Sequence, residues 1–106
     1  MKLKTLKKIK KWIRLFFHNY DYGYFLQVQQ IKLEEMYDFF NGPDTHIVGA
    51  KEVAKEIKEA LDILDRLIAD EYCFTATTWA EEEMLKQRDF EAYYKCLLVN
   101  LRGWWD

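Results

Sequence analysis

The sequence contains no serine, and this absence excludes every serine-based catalytic triad. Glycine is scarce, with four residues, and no glycine-rich loop of the spacing that cradles phosphate occurs. Histidine and cysteine occur twice each, as His18, His46, Cys73 and Cys96, without the paired spacing of a zinc site. We therefore expect no catalytic residue, no metal site and no cofactor.

Chain breakers and long apolar runs are scarce as well. Pro43 is the single proline, and no apolar run reaches the roughly 18 residues that a membrane-spanning helix needs. Helix-favouring residues dominate, and runs of β-branched residues are absent. The basic N-terminus lacks the continuous apolar segment of a signal peptide. These features predict one soluble, all-α domain over residues 1–106, located in the cytoplasm.

Apolar periodicity predicts a bundle of about four helices joined by short loops. The third helix has the clearest pattern, because apolar residues from Val53 to Ile68 recur at helical spacing opposite a charged face. At the start of the fourth helix, Thr78 and Glu81 have the spacing of a capping box, which satisfies free amides of the first turn. The predicted helices are residues 3–17, 24–40, 49–72 and 78–103.

Charge is divided unevenly along the chain. The first 14 residues carry seven cations and no acid, whereas the remainder carries nine cations and all eighteen acids. At helical spacing, the apolar residues of the first segment fall on one half of the helix and the cations on the other. The first predicted helix is therefore amphipathic and strongly cationic.

Three interpretations of this cationic helix remain open. In the first, its apolar half packs in the bundle while its cations face solvent or the acidic remainder of the chain. In the second, its cations bind a polyanion, either nucleic acid or a nucleotide, through salt-dependent phosphate contacts. In the third, it lies on a membrane surface, since cations combined with Trp12 and Phe16 are typical of such helices. The residues expected at a polyanion site are Lys4, Lys7, Lys8, Lys11 and Arg14.

Three carboxylates on the third helix have the spacing of helical metal-binding motifs. Glu59, Asp62 and Asp65 are each three residues apart, but they fall opposite the apolar face. A small metal-dependent nucleotide hydrolase would need these carboxylates to point into the bundle. We expect them to face water, and the hydrolase is kept as an alternative function.

Aromatic residues make up 17% of the sequence, an excess that suits both a small core and a binding surface. Tyr20, Tyr22 and Tyr24 either stack on a base or ligand or pack in a loop. Trp104 and Trp105 either fix the last helix to the bundle or lie in a subunit interface. We expect the chain to form a homo-oligomer.

Three stretches together resemble a group of short, uncharacterised proteins encoded by tailed bacteriophages. The first is Asp21–Leu26 (DYGYFL), which leads into Lys32–Met36 (KLEEM). The second is the amphipathic segment 50–72, and the third is LRGWWD at residues 101–106. In that group, an aromatic helix with a KL..M pattern precedes an amphipathic helix that ends in an acid and a tyrosine, and Trp-Trp-Asp ends the chain.

The resemblance implies phage origin more than a particular activity. Small phage proteins of this kind look like accessory factors that bind a host protein, sequester a nucleotide signal in antiviral defence, or serve replication. The resemblance supplies no catalytic residue. We therefore expect a non-enzymatic accessory protein that binds a host or phage partner in the cytoplasm of an infected bacterium. Binding of nucleic acid or a nucleotide by the first helix is the main alternative, and attachment to a membrane surface is a further one.

Overall fold

The computed structural model describes residues 3–18, 22–43 and 45–104, and for residues 14–18 it describes the helical backbone alone. Within these ranges the chain forms four α-helices and two short 3-10 helices, with no strand. The α-helices are α1 (Leu3–His18), α2 (Tyr22–Phe40), α3 (Ala50–Ala69) and α4 (Trp79–Asn100), and the 3-10 helices are Tyr72–Phe74 and Leu101–Trp104. The all-α helical bundle expected from the sequence is confirmed.

The core is organised around α3, against which both α2 and α4 pack. Along α3, buried residues recur every three or four positions, so they form one apolar seam. Ile57, Ala60 and Leu64 are completely buried in this seam. The other buried residues of α3 are Ala50, Ala54, Leu61 and Leu67.

Two different faces of α2 are used for packing. Leu26, Leu33 and Phe40 are seven residues apart, share one face and belong to the same buried cluster as the seam of α3. Glu34 and Asp38 lie on another face and pair with lysines of α1. α2 therefore lies between α1 and α3.

The contribution of α4 to the core is centred on Tyr93. This side chain is completely buried, and its hydroxyl donates a hydrogen bond to Oε1 of Gln29 on α2. Burial also raises the pKa of the Tyr93 hydroxyl, because the charged form would lose its hydration. Trp104, in the 3-10 helix that follows α4, is buried in the same cluster.

A residue in the left-handed backbone conformation lies at each end of α3. Gly49 precedes the helix at φ 80°, a conformation in which a side chain would be strained. Asp70 follows it at φ 50° and donates its amide to the carbonyl of Arg66. The sequence pattern placed the end of this helix at Tyr72. It ends at Ala69 because Asp70 leaves the helical conformation, and Tyr72 begins a 3-10 helix instead.

The start of α4 follows the capping pattern in part. The Thr78 hydroxyl accepts a hydrogen bond from the amide of Glu81 at 3.1 Å, as a capping residue does. The Glu81 carboxylate accepts from the amide and hydroxyl of Thr77, at 3.4 and 2.8 Å, whereas a capping box would direct it to the amide of Thr78. The bond to the Thr78 hydroxyl is thus as expected, whereas the bond to the Glu81 carboxylate comes from Thr77, one residue earlier than in a capping box.

The molecule is flat and extended for its length. Its principal dimensions are 48 × 32 × 21 Å, and its radius of gyration is 15.6 Å. A compact domain of this length would have a radius of gyration of about 13 Å. The helices therefore leave more surface in contact with solvent than a compact bundle would.

Shortening Leu64, at the centre of the α3 seam, is expected to destabilise the fold strongly. Leu64→Ala should lower the free energy of unfolding by about 2–5 kcal/mol, because it removes buried methyl groups and leaves a cavity. The matched control is Leu3→Ala on α1, where the leucine is 68% exposed and the change should stay within about 0.5 kcal/mol. Urea unfolding followed by circular dichroism measures both, and equal losses would contradict this description of the core.

Candidate functional site

The cations of α1 face the acids of α2. Nζ of Lys4 lies 2.8 Å from Oδ2 of Asp38, and Nζ of Lys8 lies 3.8 Å from the same oxygen. Nζ of Lys11 lies 2.9 Å from Oε2 of Glu34. Three of the five residues expected at a polyanion site are therefore paired with two carboxylates within the chain, which offset two of their three charges.

The other two members of the expected polyanion site are not part of this interface. Lys7 is exposed and forms no ion pair with any residue that the structure describes. The side chain of Arg14 lies outside the described part of the chain. A groove of about 320 Å³ runs beside Lys4, but Glu34, Asp38 and Asp65 also line it. This arrangement is less favourable to a polyanion than a continuous cationic surface would be.

Four apolar residues of α1 point away from the bundle. Leu3, Leu6, Ile9 and Ile13 are all exposed, and Leu3 and Ile13 keep 68% and 53% of their surfaces. Trp12 is half-buried, with Nζ of Lys32 at 5.7 Å from its ring centre, a cation–π contact. The expectation that this apolar half packs in the bundle is wrong for these residues, since α1 meets α2 through its lysines.

The tyrosines and tryptophans differ in their surroundings. Tyr22 is exposed, and its ring packs edge-on against Phe90 at a centroid distance of 5.8 Å, while Tyr24 is half-buried. Trp104 is buried in the core, and no hydrogen-bond partner for its Nε1 is found among the described residues. Tyr20 and Trp105 lie outside the described residues. Of the two interpretations of Trp104, packing that fixes the last helix to the bundle agrees with this burial.

The three carboxylates on α3 face water. Glu59, Asp62 and Asp65 are all exposed. Asp62 pairs with Lys58 at 3.0 Å, and Asp65 accepts a hydrogen bond from Gln30 at 2.7 Å. In the described part of the chain, no group of three or more His, Cys, Asp or Glu side chains is arranged to hold a metal ion. These carboxylates do not have the inward arrangement that the hydrolase alternative requires.

A polar cluster that the sequence does not indicate joins the end of α3 to α4. Asp89 accepts two hydrogen bonds from the Arg66 guanidinium, at 3.0 and 2.9 Å, and one from the Tyr72 hydroxyl at 2.6 Å. Beside it, Nζ of Lys86 lies 3.0 Å from Asp70. Arg66 and Asp89 are 23 residues apart, so no local spacing in the sequence could reveal their contact.

This cluster is suited to holding helices together. The hydrogen bond from Arg66 lowers the pKa of Asp89, which therefore stays charged and accepts bonds at neutral pH. Burial and the hydrogen bond to Asp89 raise the pKa of Tyr72, so its hydroxyl stays protonated. A groove of about 370 Å³ lies alongside, but Asp89 is not among the residues that line it. Tyr72 does line this groove, and its hydroxyl donates a hydrogen bond to Asp89.

The outer face of α4 is the largest departure from the sequence pattern. Periodicity groups Phe90, Tyr93, Tyr94, Leu97, Leu98 and Leu101 on a single apolar face of the last helix. Tyr93 is buried and Leu97 is partly buried, whereas Leu98 and Val99 are 84% and 70% exposed. Tyr94 and Leu101 are exposed beside them. These four residues, Tyr94, Leu98, Val99 and Leu101, are called the α4 outer patch below.

Removing the charge of Asp89 is expected to change the acid sensitivity of the fold. Because the folded-state pKa is lowered, the stabilisation is complete above the ordinary carboxyl pKa of about 4 and is lost as pH falls below it. Asp89→Asn should lower the free energy of unfolding by about 1 kcal/mol or more at neutral pH. The difference from wild type should then shrink between about pH 4 and pH 2.

Asp62→Asn is the control for this experiment, since it removes the same charge from an exposed carboxylate and should cost less than about 1 kcal/mol. Urea unfolding at several pH values measures both variants. A difference between wild type and Asp89→Asn that is equally large at neutral and acidic pH would contradict the assigned role of Asp89.

Known proteins were compared with this chain at the level of family, sequence and fold. No protein-family model, curated protein or solved structure matches it. The arrangement of its own residues is therefore the basis for an inference about function.

Proposed function

We propose that this chain is a non-enzymatic accessory protein of a tailed bacteriophage that acts by binding a protein of the host or the phage. The observation that carries the proposal is the α4 outer patch. Tyr94, Leu98, Val99 and Leu101 are exposed on and just after one helix. Several exposed apolar side chains grouped on one element are typical of interaction sites in folded proteins.

The charges around the α4 outer patch favour a protein partner. Glu91, Lys95 and Arg102 are exposed on the same helix or just beyond it. Exposed apolar side chains with polar groups of both signs beside them are typical of a protein interface. Polyanions prefer surfaces of uniformly positive charge, which this one lacks.

Self-association through the same patch is part of the proposal. A two-fold contact brings identical surfaces together, and a surface with acids and bases can pair opposite charges across the axis. The large radius of gyration, 15.6 Å, indicates that the single chain leaves much surface uncovered. Association of two copies through α4 would remove the patch from water.

The alternatives receive less support from the described residues. A polyanion site would have to compete with Glu34 and Asp38 for Lys4, Lys8 and Lys11. A metal-dependent hydrolase would need carboxylates that converge, and those of α3 are exposed.

The proposed location is the cytoplasm of the infected bacterium, where a host defence factor is one partner that such a protein could counter. No helix in the described ranges is long and apolar enough to cross a membrane.

Site-specific photo-crosslinking inside bacteria tests the proposal. A photoreactive phenylalanine analogue at Leu98 should form crosslinks to one or a few defined proteins in phage-infected cells, because this side chain is 84% exposed and belongs to the patch. The same analogue at Lys55, an exposed position on α3, is the control. Mass spectrometry then distinguishes a second copy of the chain from a host or phage protein.

Crosslinks from position 98 and not from position 55 would support a binding surface on α4. No crosslink from either position, or an identical set of products from both, would overturn the proposal.

A further inference from the structure

The outward face of α1 is a second exposed apolar surface, separate from α4. Its apolar residues are Leu3, Leu6, Ile9 and Ile13, all of them exposed. They recur along about three turns of helix, so they form a continuous stripe about 15 Å long. The stripe remains in water because α1 attaches to the bundle by its opposite, cationic side.

The charges that flank this stripe are all positive. Lys7 and Lys10 are exposed and form no ion pair with any described residue. No acid occurs anywhere between Leu3 and His18. On the opposite side of α1, Asp38 and Glu34 of α2 pair with its lysines. These pairs offset the negative charges of both acids.

The combination of an apolar stripe with a purely cationic rim favours some binding partners for this face over others. In a two-fold contact between two copies of this face, the cationic rim of one helix would meet the cationic rim of the other, which is repulsive because α1 carries no acid. A nucleic acid would satisfy the lysines and leave the leucines and isoleucines in water. An anionic lipid surface satisfies both, since headgroup phosphates meet the cations and the apolar side chains enter the boundary of the acyl chains.

We infer that the outward face of α1 binds an anionic membrane surface, with the helix parallel to the bilayer plane and its apolar stripe inserted. Helices that bind in this way have a strongly apolar face and a cationic polar face, and they do not cross the bilayer. The remainder of the chain carries twice as many acids as bases. An anionic surface repels that remainder and so favours contact through α1 alone.

Vesicle co-sedimentation of the full chain tests this inference. Wild type should pellet with vesicles of phosphatidylcholine mixed with phosphatidylglycerol and stay in solution with phosphatidylcholine alone. Leu6→Gln/Ile13→Gln should weaken binding about tenfold or more, because two apolar side chains no longer insert. Lys7→Gln/Lys10→Gln should also weaken it about tenfold or more, since each cation near an anionic surface contributes roughly fivefold.

Two matched control variants distinguish binding through α1 from nonspecific adsorption to vesicles. Val48→Gln/Phe74→Gln removes two exposed apolar side chains, one from a turn and one from the end of a 3-10 helix. Lys51→Gln/Lys55→Gln removes two exposed cations from α3. Both should bind anionic vesicles as wild type does, and circular dichroism checks that every variant keeps its helices.

Three outcomes would overturn the inference: no binding to anionic vesicles, equal binding to neutral and anionic vesicles, and equal losses in the control variants. Binding that depends on Lys7 and Lys10 and ignores Leu6 and Ile13 would also overturn it, because insertion would then be absent. Leu98→Glu should leave vesicle binding unchanged, so failure of the α1 site and failure of the α4 patch can be told apart.

Discussion

Burial of the apolar seam along α3 is the interaction on which the rest of the molecule depends. α2 and α4 each cover part of this seam, and both pack on α3 more extensively than α1 packs on anything. Each of these two helices directs one face toward the seam, and its other faces lie outside the core. A chain of 106 residues has a modest core, and a small core cannot cover every apolar side chain that the sequence supplies. The α4 outer patch and the stripe on α1 are among the apolar surfaces that remain outside it.

The attachment of α1 follows from the charge division along the chain. Its lysines meet the acids of α2, and Leu3, Leu6, Ile9 and Ile13 are exposed on the side away from this contact. Exposed ion pairs of this kind each contribute only about 0–1 kcal/mol and weaken as salt is added. α1 is therefore held much less firmly than α2 and α4 are. A helix with this attachment is suited to contact an outside surface without disturbing the core.

Much of the fold could be predicted from the sequence, because local patterns determine it. The periodicity of α3 and the cap at Thr78 depend on residues a few positions apart, and both occur where expected. The orientation of α1 could not be predicted, since periodicity defines an apolar face without saying what that face meets. The bonds of Asp89 to Arg66 and Tyr72 were missed for a related reason, because they join residues that are distant in sequence. Periodicity also groups the apolar residues of α4 on one face. It could not show which of them α3 covers and which stay exposed, because that depends on residues distant in sequence.

The central claim is that copies of this chain associate with each other through the α4 outer patch, the surface that is also proposed to bind a partner. Sedimentation velocity over a wide range of protein concentrations tests it most directly. The expected result is that wild type sediments as a defined multiple of the 12.9 kDa chain, while Leu98→Glu sediments as a single chain with unchanged helix content. Wild type that sediments as a single chain at every concentration would contradict the claim, as would a Leu98→Glu variant that assembles as wild type does.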